Sequence, residues 1–141
     1  MKVKDVMTKS VIHIAPEETV EVAARTLTQY NIGALPVCSG GKLCGVVTDR
    51  DIVTRCLASN RLPGQTTVEQ IMTAQVHSAQ PDMDVSVAAH LMGRQQVRRL
   101  PVVEKGKLCG MLSLGDLAEK EESSYDAADA LGEISSNISR R

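Results

Sequence analysis

Apolar positions along this chain fall into short blocks, and each block comes round twice. Two brief runs, Val11–Ile14 and Val76–Ala79, stop short of Pro16 and Pro81, which cannot continue a ladder, so each predicts an opening strand. Behind them, Val20, Ala23, Ala24 and Leu27 recur as Val85, Ala88, Ala89 and Met92. That spacing is helical, and Thr19 and Asp84 stand where an N-cap belongs. Two β-rich runs follow in each half, Leu35–Cys38 with Leu43–Thr48 and Leu100–Val103 with Leu108–Ser113. The residues between them, Ser39–Lys42 and Glu104–Lys107, predict hairpins. A second helix is expected from Asp49 to about Ala58 and from Leu114 to about Glu121, completing a β-α-β-β-α plan twice over.

The two plans are one unit repeated in register. Val3-Lys4-Asp5-Val6-Met7-Thr8 returns as Val68-Glu69-Gln70-Ile71-Met72-Thr73, an offset of 65. The offset holds without a gap from Leu35-Pro36-Val37 to Leu100-Pro101-Val102, from Gly41–Gly45 to Gly106–Gly110, and from Asp51 to Asp116. A three-stranded sheet with two helices is too small to cover its own faces. The expected fold class is therefore α/β, of the α+β type, with two repeats packed as an intramolecular pseudo-twofold pair. Residues 1–60 form the first domain of this reading, 61–67 a linker with turn residues at Pro63 and Gly64, and 68–120 the second domain. The tail, 121–141, breaks the repeat. Ala127, Ala128, Leu131, Ile134 and Ile138 keep a weak helical spacing there, so it is read as an added helix or as disordered chain.

Composition narrows the function classes. With 43% hydrophobic and 23% charged residues, the 141-residue chain has the balance of an ordinary globular protein. Phe and Trp are absent, and the net charge is −1, so there is neither an aromatic platform for bases nor a basic footprint for nucleic acid. No apolar leader opens the sequence and no run could span a bilayer, which sets the expectation of a cytoplasmic protein without membrane contact. Cys38, Cys44, Cys56 and Cys109 lack the spacing of a zinc site and are expected to be free thiols, with Cys44 and Cys109 in apolar strand patterns.

Both halves close on Gly-x-x-[Ser/Thr]-x-x-Asp at a strand-to-helix junction, Gly45 to Asp51 and Gly110 to Asp116. A hydroxyl followed three residues later by an acid is a capping box, and capping alone accounts for Thr48 with Asp51 and Ser113 with Asp116. The same residues have a second chemical use. A helix start offers backbone N–H groups to a phosphate, and a carboxylate one turn in can accept both hydroxyls of a ribose. In the second half, Val103 facing Leu108 across the hairpin sets Arg98 opposite Ser113, or Arg99 after a slip of one residue. Guanidinium groups suit phosphate. The first half has Gly33 and Ala34 at those positions, with Arg50 as the nearby cation, so the two junctions are expected to differ in affinity.

The ungapped repeat, the Leu-Pro-Val hairpins and the doubled junction motif together resemble a tandem pair of cystathionine β-synthase-type (CBS) domains, a Bateman module, over about residues 3–120. The resemblance implies that Asp51 and Asp116 hold a ribose, that Thr48 and Ser113 help with phosphate, and that Arg98 and Arg99 contact phosphates. It also implies an adenine beside the opening strand, where the family often reads apolar-x-Thr-apolar-x-Pro. Ser78 fits that pattern and His13 departs from it. His13 is read as a buried neutral histidine that either hydrogen-bonds the base or is satisfied structurally, and His77 and His90 as surface positions. The implied ligand is AMP, ADP or ATP, with S-adenosylmethionine and NADH as alternatives, and the implied assembly is a disk-like homodimer.

No nucleophile with a positioned base, no metal cluster and no Walker-type loop is found, so no catalytic residue, catalytic cofactor or metal ligand is assigned. The leading expectation is a regulatory module that senses an adenine nucleotide and signals through packing changes, to an effector protein or within a homodimer. The alternatives are a structural dimerisation module with vestigial pockets, and a small thiol-redox enzyme using Cys44 or Cys109.

Overall fold

The computed structural model of the protein describes residues 1–120 and 123–139. Glu121, the expected end of a helix, and the side chain of Ile138 lie outside the described residues. The elements run α1 (Val3–Val6), α2 (Val20–Tyr30), β1 (Ala34–Ser39), β2 (Lys42–Thr48), α3 (Asp49–Asp51, continued by a π-helical turn, Ile52–Leu57), α4 (Val68–Ile71), α5 (Val85–Gln95), β3 (Arg99–Glu104), β4 (Lys107–Ser113), α6 (Leu114–Ala118) and α7 (Ser124–Ser139). The chain divides into two compact units that do not follow repeat order. One is contiguous, Ile12–Val76; the other is composite, joining Met1–Val11 to the chain from His77 onward.

The segment that opens each repeat is therefore packed on the other repeat, and its hydrogen bonds keep the offset of 65. Val3 N–H donates to Met83 O (2.9 Å) and Lys4 N–H to Pro81 O (3.0 Å), while Val68 N–H donates to Glu18 O (2.8 Å) and Glu69 N–H to Pro16 O (3.1 Å). Thr8 exchanges a pair of backbone bonds with Met111 (2.9 Å each), and Thr73 exchanges one with Val46 (3.0 and 2.9 Å). The close approach accounts for the glycine that begins each junction motif. A Cβ on Gly45 would stand 2.7 Å from both Met72 Sδ and Thr73 O, and one on Gly110 would stand 2.5 Å from Met7 Sδ and 3.1 Å from Thr8 O.

Each unit carries its own aliphatic core. Val20, Ala23, Leu35, Val37, Val47 and Cys56 enclose the borrowed Val68 and Ile71, and Val85, Ala88, Met92, Leu100, Val102 and Leu112 enclose the borrowed Val3. The long helices start at the expected caps, with Thr19 Oγ1 accepting from Val22 N–H and Asp84 Oδ1 from Ser86 N–H. The opening strands shrink to single parallel bridges, Ile14 to Val37 and Ala79 to Val102. The physical reason lies in the partner strand. Ile14 already bonds Pro36 O and Cys38 N–H, and the next rung would need an N–H from Pro36, which has none. Pro101 stops the second ladder in the same way.

The second helix of the first repeat turns π-helical at Ile52, where Ala58 N–H reaches back to Val53 O at 2.9 Å. In the tail, α7 lays Ala127 and Ala130 into the composite core against α5, with Ala130 Cα 3.4 Å from where a Gly93 Cβ would stand. Of the expected stripe, Ala127 and Ile134 are buried, whereas Leu131 is 43% exposed.

Candidate nucleotide site

Each hairpin sets up the junction that follows it. β1 and β2 pair antiparallel from Ser39 with Lys42 out to Ala34 with Thr48, and β3 and β4 from Glu104 with Lys107 out to Arg99 with Ser113. In each, a register shift leaves one residue of the second strand unpaired, Cys44 in the first hairpin and Cys109 in the second. That bulge sets the one-residue slip: Arg99, rather than Arg98, lies opposite Ser113.

Capping boxes form at both junctions. In the contiguous unit Thr48 Oγ1 accepts from Asp51 N–H (3.0 Å) and Asp51 Oδ2 from Thr48 N–H (3.0 Å); in the composite unit Ser113 Oγ accepts from Asp116 N–H (3.0 Å) and Asp116 Oδ2 from Ser113 N–H (2.9 Å). The backbone N–H that begins each helix is also taken. Asp49 donates to Gly33 O at 3.0 Å and Leu114 to Arg98 O at 2.8 Å. α6 is only five residues long, so the cations beside it, more than its own amides, can supply charge for a phosphate.

Beyond capping, the junctions diverge. Asp51 is 8% exposed, and its second oxygen faces Arg55 Nε at 3.7 Å. The same guanidinium donates through Nη1 to Ile71 O (3.0 Å) and Thr73 Oγ1 (3.3 Å). Asp116 is half-buried, and among the described residues no side chain pairs with its Oδ1. Arg98 and Arg99 are exposed, and among the described residues neither guanidinium has a hydrogen-bond or ion-pair partner. Between Ser113 and Asp116, Gly115 leaves open space: a Cβ there would meet only Ser113 Oγ, at 3.7 Å. The equivalent position in the contiguous unit is the exposed Arg50.

The composite unit thus holds Ser78, Arg98, Arg99, Ser113 and Asp116, and the contiguous unit holds His13, Thr48, Arg50 and Asp51. Ser78 is half-buried and precedes Ala79, whose N–H bonds Pro101 O at 2.9 Å beside β3. His13 is exposed, not buried as expected, because the opening strand is a one-residue bridge at Ile14 that leaves its neighbour outside. His77 and His90 are exposed as well. Arg55 lies outside the sequence motif, although its spacing of four from Asp51 is the usual signal of an ion pair on a helix.

The four cysteines are free, with Cys38 and Cys56 buried. Burial pushes the thiols of Cys38 and Cys109 above their ordinary range, aided by Cys44 and Glu104 respectively, which disfavours thiolate chemistry there. Among the described residues no group of three or more His, Cys, Asp or Glu side chains is placed to hold a metal, and no helix is long and apolar enough to cross a membrane.

Two α/β units, each with a capped strand-to-helix junction that carries an acid one turn in, make up a tandem-repeat module. The CBS-domain family model matches residues 3–58 and 68–123, and the chain belongs to that family. It is 43% identical over 133 residues to the CBS domain-containing protein YhcV of Bacillus subtilis, covering 94% of both chains. Among solved structures it is similar to Hypoxic Response Protein I with two coordinated zinc ions (30% identity, TM-score 0.78, 84% of this chain and 98% of that one). It is similar too to the CBS domain pair of protein MJ0100 in complex with 5′-methylthioadenosine and S-adenosyl-L-methionine (31% identity, TM-score 0.75, 84% and 94%).

Proposed function

We propose that this protein is a regulatory module that binds an adenine nucleotide, AMP or ATP in type, and catalyses no reaction itself. The observation that carries the reading is the pair of guanidiniums, Arg98 and Arg99, at the strand end opposite Ser113 and without a partner among the described residues, with an oxygen of Asp116 that no described side chain contests nearby in sequence. Arginines at that place answer a phosphate, the open carboxylate oxygen answers ribose hydroxyls, and Ser78, just before the bridge at Ala79, is the residue the family resemblance sets beside the adenine. The adenosyl ligands in the MJ0100 structure support the nucleoside part of the assignment; the arginine pair favours AMP, ADP or ATP over S-adenosylmethionine, with NADH sharing the same groups.

The readout is a cytoplasmic effector protein or a second copy of the chain. A homodimer is favoured by the contiguous unit, where Val53, Leu57 and Leu62 are 56%, 52% and 62% exposed. A thermal-shift panel of AMP, ADP, ATP, S-adenosylmethionine and NADH tests the proposal. A ligand at 100 times its dissociation constant should add about 2.7 kcal/mol of stability. Silence across the panel would favour a dimerisation module with vestigial pockets.

A further inference from the structure

Arg55 makes three contacts that no other cation of the contiguous unit shares. Its Nε faces the one Asp51 oxygen that the capping box leaves open (3.7 Å), and its Nη1 holds Ile71 O, the last carbonyl of α4, and Thr73 Oγ1. Asp51 is largely buried, its side chain only 12% exposed, so a neighbouring guanidinium is its main counter-charge. At the matching place in the composite unit stands Lys120, and no ion pair joins it to Asp116 among the described residues.

We propose that Arg55 is a latch on the contiguous junction: it occupies the carboxylate oxygen a ribose needs, and ties that oxygen to the segment Val68–Thr73 which leads out of the unit. This rests on the reading that Asp51 takes a ribose. Ligand binding must then break the Asp51–Arg55 contact, so the junction is weak while latched. Once displaced from Asp51, the guanidinium relaxes its hold on Ile71 and Thr73, so occupancy of the junction is felt along that segment. A planar fork can serve both partners at once; a lysine ammonium is a single point and serves them less well.

The test titrates AMP calorimetrically into protein carrying Asp116→Ala, which silences the composite junction, with and without Arg55→Gln. Removing the latch should tighten AMP binding about fivefold at low salt, with the gain shrinking as salt is added. Arg55→Lys should fall between the two. In the unaltered protein, AMP should speed hydrogen exchange at Met72 and Thr73, whose amides bond Val68 O and Val46 O. Unchanged or weaker binding in both Arg55 variants, or exchange at Met72 and Thr73 that ignores bound AMP, overturns the latch while leaving the nucleotide reading standing. Absence of AMP binding in every protein, the unaltered one included, overturns both.

Discussion

The two strand-to-helix junctions share a motif, a hairpin and a capping box, yet they distribute positive charge in opposite ways. The contiguous unit keeps its cations on the helix, Arg50 and Arg55, and spends Arg55 on its own Asp51. The composite unit keeps them at the strand end, Arg98 and Arg99, and leaves Asp116 with an oxygen that no described side chain contests. The backbone repeats because the capping bonds and the exchanged segments demand it. The cations, Arg50 and Arg55 in one unit and Arg98 and Arg99 in the other, lie outside those demands, and they are what differs.

Altering the shared scaffold should give the largest effects, and nearly matched ones. Gly45→Ala and Gly110→Ala each force a methyl against an exchanged segment and should cost about 1–3 kcal/mol in denaturant unfolding. Gly45 should be the worse of the two, because it meets the Thr73 carbonyl at 2.7 Å whereas Gly110 meets Thr8 O at 3.1 Å and otherwise a flexible methionine. Equal, negligible costs would mean that the exchanged segments are not held against the strands.

A smaller effect separates the units by pH. In the composite unit Lys4 Nζ lies 3.0 Å from Asp82, and that hydrogen bond and charge hold the Asp82 carboxyl below its ordinary range. A depressed carboxylate stabilises the fold above its unfolded pKa, and the contribution is lost as pH falls through the folded value. The matching residues of the contiguous unit, Glu69 and Glu17, form no such pair. Acidification should therefore lower amide protection at Val3 and Lys4 relative to Val68 and Glu69, and Asp82→Asn should abolish the difference. The pair is exposed, so the change should be slight and should fade with salt.

Much of the scaffold is legible in the sequence. The offset, the caps at Thr19 and Asp84, and the hairpins at Ser39–Lys42 and Glu104–Lys107 all follow from local chemistry that the structure keeps. The segment exchange is not legible, since nothing local tells Val3 that it packs beneath the second repeat instead of its own. The opening strands are shorter than their apolar runs because periodicity does not weigh the missing N–H of Pro36 in the partner strand. Sequence leaves the hairpin register open by one residue, and the bulge at Cys109 decides which arginine faces Ser113. At the site, hydroxyl and acid stand out as a motif, whereas the pairing of Asp51 with Arg55 competes with many equally spaced charges on helices, and the exposure of His13 depends on where a ladder ends.

The inequality of the two junctions is tested most directly by calorimetric titration of AMP into the unaltered protein, Asp116→Ala and Asp51→Ala. The account predicts that Asp116→Ala removes the tighter binding event and that Asp51→Ala leaves it in place. Loss of the tighter event in Asp51→Ala, with Asp116→Ala unaffected, would contradict it.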